Sequence, residues 1–141
     1  MKKLLLLLLF SSLCAITFIG FQIYLNKEMT LLGTITEVSI SESEGYGGIN
    51  DNFFVSFKKT ETVSNFEDIM KSAKRKREDV NREKPDYDIL VQYQDDNYHL
   101  LHLLLGNEGE ESAFMYMGYE HVYYITPDAT KELRQIINVE D

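Results

Sequence analysis

Residues 87–105, YDILVQYQDDNYHLLHLLL, contain the most regular alternation of the chain. From Tyr87 to Tyr93, tyrosine, isoleucine and valine alternate with Asp88, Leu90 and Gln92, which indicates a β-strand. The polar residues 95–97 predict a turn, and residues 98–105 predict a second strand with apolar residues on both faces, typical of the middle of a sheet. Because strands joined by a short turn run antiparallel, this stretch predicts an antiparallel sheet.

The flanking sequence predicts further strands around this pair. Their predicted ranges are 31–40, 53–58, 113–117 and 120–125. The glycine-containing residues 41–48 connect the first two of these strands and predict a hairpin turn in which glycines adopt positive φ. The expected sheet therefore has about six strands.

Two helices are predicted beside the sheet. The first begins at Thr60 or Thr62, has apolar residues at helical spacing and ends in the basic residues 74–77, which suit the negative end of a helix dipole. The second begins at Thr126-Pro127-Asp128, where a capping hydroxyl precedes proline and an acid. The expected fold class is α+β, with an antiparallel sheet in ββαββββα order and both helices packed on one face.

The N-terminal segment contains an apolar run from Leu4 to Leu25 without a charged residue. As a helix it would be about 33 Å long, close to the hydrocarbon thickness of a bilayer. With Lys2 and Lys3 before it, the run predicts an uncleaved signal anchor, a transmembrane helix with its N-terminus in the cytoplasm. The expected organisation is an anchor over 1–25, a short linker over 26–30 and one extracytoplasmic domain over 31–141.

Two other interpretations of this segment stay open. A cleaved signal peptide needs a shorter apolar core and a small-x-small cleavage site, which the run does not offer. A lipoprotein signal would place the lipid on Cys14, although Leu13 precedes it where a small residue is normal, and the sequence stays apolar afterwards. Either alternative would also place the domain outside the cytoplasm.

The charge of the chain is concentrated after residue 25. That part holds 12 basic and 23 acidic residues, a net charge of −11 within the −9 of the whole chain. A nucleic-acid binder is therefore not expected, because neutralising phosphates needs an excess of Lys and Arg. Cys14 is the only cysteine, which excludes a disulfide within the chain.

Several of these segments resemble the YhfM-like domain, a family of small cell-envelope proteins of Bacillus-type bacteria. The resemblance covers roughly residues 32–137 and is carried by turn and strand patterns. The matching segments are 38–41, 45–54, 85–90, 102–106 and 122–127. It implies an α+β domain in a Gram-positive envelope and implies no activity.

The histidines give no sign of a metal site in the sequence. His99 and His102 form an H-x-x-H pair, but the segment is predicted to be a strand, on which residues three apart point to opposite faces. His121 lies on another predicted strand and could approach one of them. We therefore expect no metal ligand and no cofactor.

The other polar clusters are also expected to be structural. The glycine-rich residues 45–48 precede a strand and not a helix, which argues against a phosphate loop. The acidic residues 95–96 and 108–111 lack the spacing of a calcium loop. Asp86 and Asp88 would share a strand face as a carboxylate pair, without a base or nucleophile nearby in the sequence.

Two clusters suggest contact with a partner. The basic residues at 71–77 form a solvated helix end or contact anionic lipid or wall polymers. Tyrosines crowd into the β-rich part of the chain, and a tyrosine offers apolar area with a polar tip at an interface. The expected contact residues are Tyr46, Tyr116, Tyr119 and Tyr123.

The sequence thus predicts a non-enzymatic domain, anchored in the cell membrane, which binds another component of the envelope. Its predicted partners are the lipid bilayer, through residues 4–25, and an envelope protein. The alternative is a domain that senses a small molecule or a metal and signals through its membrane helix, which a buried pocket lined by Tyr and His would favour. An enzyme would require a convergent pair of titratable groups, for instance a histidine that meets a carboxylate.

Overall fold

The computed structural model describes residues 2–25, 27–76 and 84–138. The helices are α1 (Lys2–Leu25), α2 (Thr60–Ser72) and α3 (Pro127–Ile137). The strands are β1 (Ile35–Glu42), β2 (Val55–Phe57), β3 (Lys74–Lys76), β4 (Tyr87–Tyr93), β5 (Tyr98–Leu104), β6 (Ser112–Tyr116) and β7 (Val122–Ile125). Asn26, Arg77 and most of the polar connection expected at 78–84 lie outside the described residues.

The seven strands form one antiparallel sheet in the order β2-β1-β4-β5-β6-β7-β3. Strands β4 to β7 are neighbours in sequence and in space, because short turns join them. Strand β1 pairs with β4 on the other side of this block, and β3 closes the far edge. The part of the chain before β4 therefore supplies both flanks of the sheet.

The main core lies between one face of the sheet and the helices α2 and α3. Apolar residues at helical spacing form a stripe on α2 that faces the strands. Within this stripe, Phe66 packs edge-to-face against Phe114 of β6, with ring centroids 6.2 Å apart. Leu133 and Ile137 of α3 join the same cluster. This packing holds the ends of β4, β5, β6 and β7 in fixed positions.

The start of α3 matches its sequence pattern. Thr126 is the N-cap residue, its hydroxyl accepts a hydrogen bond from the Ala129 backbone N–H at 3.3 Å, and Pro127 opens the helix. Helix α2 begins differently, because Lys59 occupies its N-cap position and its side chain makes no capping hydrogen bond. The capping hydroxyl expected at Thr60 or Thr62 is therefore absent there.

The expected count of about six strands is wrong, because a seventh strand occupies the basic residues. Helix α2 ends at Ser72, Ala73 has extended backbone angles, and Lys74–Lys76 pair with β7 at the sheet edge. Lys76 forms an ion pair with Glu111 and lies over the ring of Tyr124. Cross-strand partners, which a helical interpretation ignores, decide the conformation of this segment.

The expected transmembrane helix is also corrected. The apolar run is helical, as α1, yet no helix within the described residues qualifies as long and apolar enough to cross a bilayer. The membrane anchor and the single-pass location in the cell membrane rested on the apolar length of residues 4–25, and the orientation rested in addition on Lys2 and Lys3. The absence of a candidate membrane span among the described residues contradicts all of these expectations.

Candidate functional site

An open pocket of about 500 Å³ lies at one end of the sheet. Its aromatic lining consists of Tyr98, His99, Tyr116, Tyr119, His121 and Tyr123. These rings come from β5, β6, β7 and the β6–β7 connection, and further apolar lining comes from Leu32, ahead of β1. A concave, mostly apolar site with a few polar groups is the usual form of a small-molecule site.

Strand register explains why these rings meet. His99 pairs with Val91, Tyr116 with Leu101 and Tyr123 with Phe114, and each of these partners belongs to the main core. Directly opposite residues share a face, so His99, Tyr116 and Tyr123 lie on the side of the sheet that carries the helices. The floor of the pocket is thus continuous with the core.

His99 is held by a buried tyrosine. The hydroxyl oxygen of Tyr93 lies 2.9 Å from Nδ1 of His99, and the two rings are perpendicular, with centroids 5.4 Å apart. Tyr93 is only 3% exposed. Because Nδ1 is engaged with Tyr93, Nε2 is the ring nitrogen left for a ligand.

Burial sets the protonation states of this pair. It lowers the pKa of His99 below the ordinary 6.5 and raises the pKa of Tyr93 above the ordinary 10. Near neutral pH the imidazole is therefore neutral and the phenol keeps its proton. A neutral imidazole can accept a proton from a reacting group.

Tyr116 connects the other rings of the pocket. Its hydroxyl donates to the backbone carbonyl of Thr30 at 2.6 Å, and burial raises its pKa well above the ordinary value. Its ring meets His99, Tyr119 and Tyr123 edge-to-face, at centroid distances of 4.8, 6.4 and 5.8 Å. The hydrogen bond to Thr30 therefore connects the segment before β1 with the wall of the pocket.

A second histidine meets a carboxylate on the opposite face of the sheet. His102 Nδ1 lies 2.8 Å from Asp88 Oδ1, and both side chains are almost completely buried. Asp88 Oδ2 accepts the Asn50 backbone N–H at 2.8 Å, and the ring of Tyr46 packs edge-on against the imidazole. This pair anchors the segment 43–52, and its burial separates it from ligands in solution.

The structure divides the residues that the sequence singled out. It places Tyr116, Tyr119 and Tyr123 in the pocket, whereas Tyr46 lies on the opposite face. Cys14 is a free, exposed cysteine of α1. Asp86 and Asp88 do not act as a pair, because Asp86 accepts the Leu105 backbone N–H while Asp88 binds His102. Among the described residues, no group of three His, Cys, Asp or Glu side chains could hold a metal ion.

The sequence does not predict two side-chain pairs, the Tyr93–His99 pair at the pocket and the buried Asp88–His102 pair. The signal for the second was present: a turn at 95–97 places His102 opposite Asp88 once the hairpin register is followed outward. The pocket had no such signal, because Thr30, Tyr116 and Tyr123 come from separate parts of the chain.

Residues 35–141 match the model of the YhfM protein family. The chain belongs to the YhfM family. No curated protein matches this YhfM chain. A thioesterase-like protein from Clostridium sporogenes ATCC 15579 is similar in structure, with a TM-score of 0.57 and 23% identity. The match covers 74% of the YhfM chain and 96% of the clostridial chain, and at this identity it shows a shared fold.

These findings correct the functional prediction for this YhfM protein. A non-enzymatic, membrane-anchored domain was expected from the apolar run of residues 4–25, from the absence of catalytic constellations in the sequence and from the many tyrosines of the sheet. The fold instead matches that of a thioesterase-like protein, and the described residues include no candidate membrane span.

Proposed function

We propose that this protein hydrolyses small acyl thioesters, with the acyl group in the aromatic pocket and His99 as the general base. One observation carries the proposal: a neutral imidazole, held through Nδ1 by the buried Tyr93, lines an open apolar pocket. The fold shared with a thioesterase-like protein supports this class of reaction. The same pocket supplies both the apolar site and the proton acceptor.

The reaction can be written with every atom accounted for. The reaction uses the tautomer of His99 in which Nδ1–H donates to the Tyr93 hydroxyl oxygen, so that Nε2 is free to accept a proton from a water molecule. The water oxygen attacks the thioester carbonyl carbon and forms a tetrahedral intermediate. The carbon–sulfur bond then breaks, the thiolate takes the proton from His99, and a carboxylic acid and a thiol leave. Neither a metal nor an external oxidant enters this balance.

The neutral state of His99 suits this role. A protonated imidazole could not accept the proton of the attacking water, whereas burial in the pocket wall favours the neutral form. The largely apolar lining of the pocket also strengthens the hydrogen bond that fixes the base, because hydrogen bonds are stronger in a low local dielectric. Both features follow from the position of His99 on the core face of β5.

The proposal is tested by thiol release from an acyl thioester of N-acetylcysteamine. We expect His99→Gln to lower kcat/KM by about 100-fold or more, the usual contribution of a general base. Lys131→Gln, at an exposed position of α3, is the control and should retain the wild-type rate. A wild-type rate equal to the uncatalysed rate, or a His99→Gln rate equal to wild type, would overturn the proposal.

A further inference from the structure

Four rings of the pocket, together with Tyr93 beneath it, are connected by edge-to-face contacts. His99 is at 90° to Tyr93 and at 68° to Tyr116. Tyr116 in turn lies at 77° to Tyr119 and at 85° to Tyr123. Aromatic rings attract each other in this arrangement because the positive edge of one faces the negative face of the next. The array therefore offers ring edges and faces to whatever enters the pocket.

The rim of the pocket carries rings that are open to solvent. Tyr98 is 60% exposed and Tyr119 is 67% exposed. A ligand with an aromatic ring can extend the array from Tyr116 outward and cover these rim rings, gaining directed ring contacts beyond burial of apolar area. A straight alkyl chain gains the buried area alone.

We propose that the pocket selects an aromatic acyl group over a straight-chain acyl group with the same number of carbon atoms. This inference rests on the proposed hydrolysis and names its substrate class. The volume of about 500 Å³ is within the range of sites for small organic ligands. The aromatic rings of the pocket wall account for the preference for an aromatic acyl group. This preference therefore does not require a charged group.

The experiment compares phenylacetyl and octanoyl thioesters of N-acetylcysteamine, which carry eight acyl carbons each. Octanoyl is the more apolar group, so burial of area alone would favour it. We expect kcat/KM to be about tenfold higher for the phenylacetyl thioester than for the octanoyl thioester. A few added contacts between aromatic rings are enough to give a factor of this size. Equal values, or a preference for octanoyl, would overturn the inference and leave the hydrolysis standing.

Two variants test whether a ring at the rim of the pocket contributes to the preference for the phenylacetyl group. Tyr119→Leu keeps apolar area at an exposed position and removes one ring, so the preference should fall several-fold. Phe54→Leu is the matched control, because Phe54 is 52% exposed but packs against Tyr87, outside the pocket. An unchanged preference in Tyr119→Leu, or an equal loss in Phe54→Leu, would contradict the assignment to the rim.

Binding of the free acids separates the two proposals. Phenylacetate and octanoate are titrated into the wild-type protein, and the NMR signals of the His99 ring report occupancy. Phenylacetate should bind several-fold more tightly. If neither thioester is hydrolysed, the proposed function fails, and the acid titration still decides the selectivity: tighter binding of phenylacetate supports the aromatic site, and weaker or equal binding overturns it.

Discussion

His99 and His102 are three residues apart on one strand, yet their surroundings have little in common. Alternate side chains of a strand point to opposite faces, so His99 faces the helices and His102 faces the segment 43–52. One imidazole is bound to a phenol beside an open pocket, and the other is bound to a buried carboxylate. The sequence predicts the separation of the two rings, whereas their partners depend on strand register.

The hydroxyl of Tyr93 fixes the imidazole that the proposed reaction uses. We expect Tyr93→Phe to lower kcat by about tenfold with little change in KM, because the ring loses one hydrogen bond while the pocket keeps its shape. Nitrogen NMR shifts of His99 should show a single protonated ring nitrogen in the wild type and a mixture of both tautomers in the variant. Unchanged kcat together with unchanged shifts would exclude this positioning role.

At the scale of the elements, the sequence predicted best where local chemistry decides. The β4–β5 hairpin and the cap of α3 at Thr126 follow from alternation, a turn and a capping hydroxyl. The strand β3 was mistaken for a helix end, since only its pairing with β7 makes Lys74–Lys76 extended. Nor does any local pattern show that the segment 43–52 is fastened to Asp88 and His102.

The contribution of Asp88 to anchoring the segment 43–52 can be measured as a change in the free energy of unfolding. Asp88→Asn replaces the buried carboxylate that is hydrogen-bonded to His102 and accepts the Asn50 backbone N–H, so it should lower the free energy of unfolding by about 3 kcal/mol. Chemical denaturation measures this change. Asp51→Asn, at an exposed position of the same segment, should change it by less than about 0.5 kcal/mol. Equal effects of both substitutions would rule out a role of the buried pair as an anchor.

For the whole molecule, the order of strands creates the pocket. The Tyr116 hydroxyl binds the carbonyl of Thr30, 86 residues away in the sequence, and the rings around it come from β5, from β7 and from the β6–β7 connection. Contacts of this separation leave no local pattern, which is why the tyrosines suggested an interface instead of a pocket. The expectation of an envelope partner stays a prediction, as do the linker at residues 26–30 and lipid attachment at Cys14.

The N-terminal apolar run also shows how far a local sequence pattern can predict structure. Residues 4–25 predicted a helix, and α1 is one, but the further step from apolar length to a membrane span is overturned. The acidic charge is the reason why a nucleic-acid partner is not expected, and it does not indicate a substrate. Function had to be inferred from the pocket, because the fold alone does not supply it.

The dependence of kcat/KM on pH tests the central role of His99 most directly, because this ratio reports the titration of the free protein. Burial lowers the pKa of His99, and the neutral form is the active base. Activity should therefore rise with pH through a limb below pH 6.5 and stay level through neutral pH, and His99→Gln should lose this limb along with the rate. A wild-type limb above pH 6.5, or the same limb in His99→Gln, would contradict the assignment of His99 as the base.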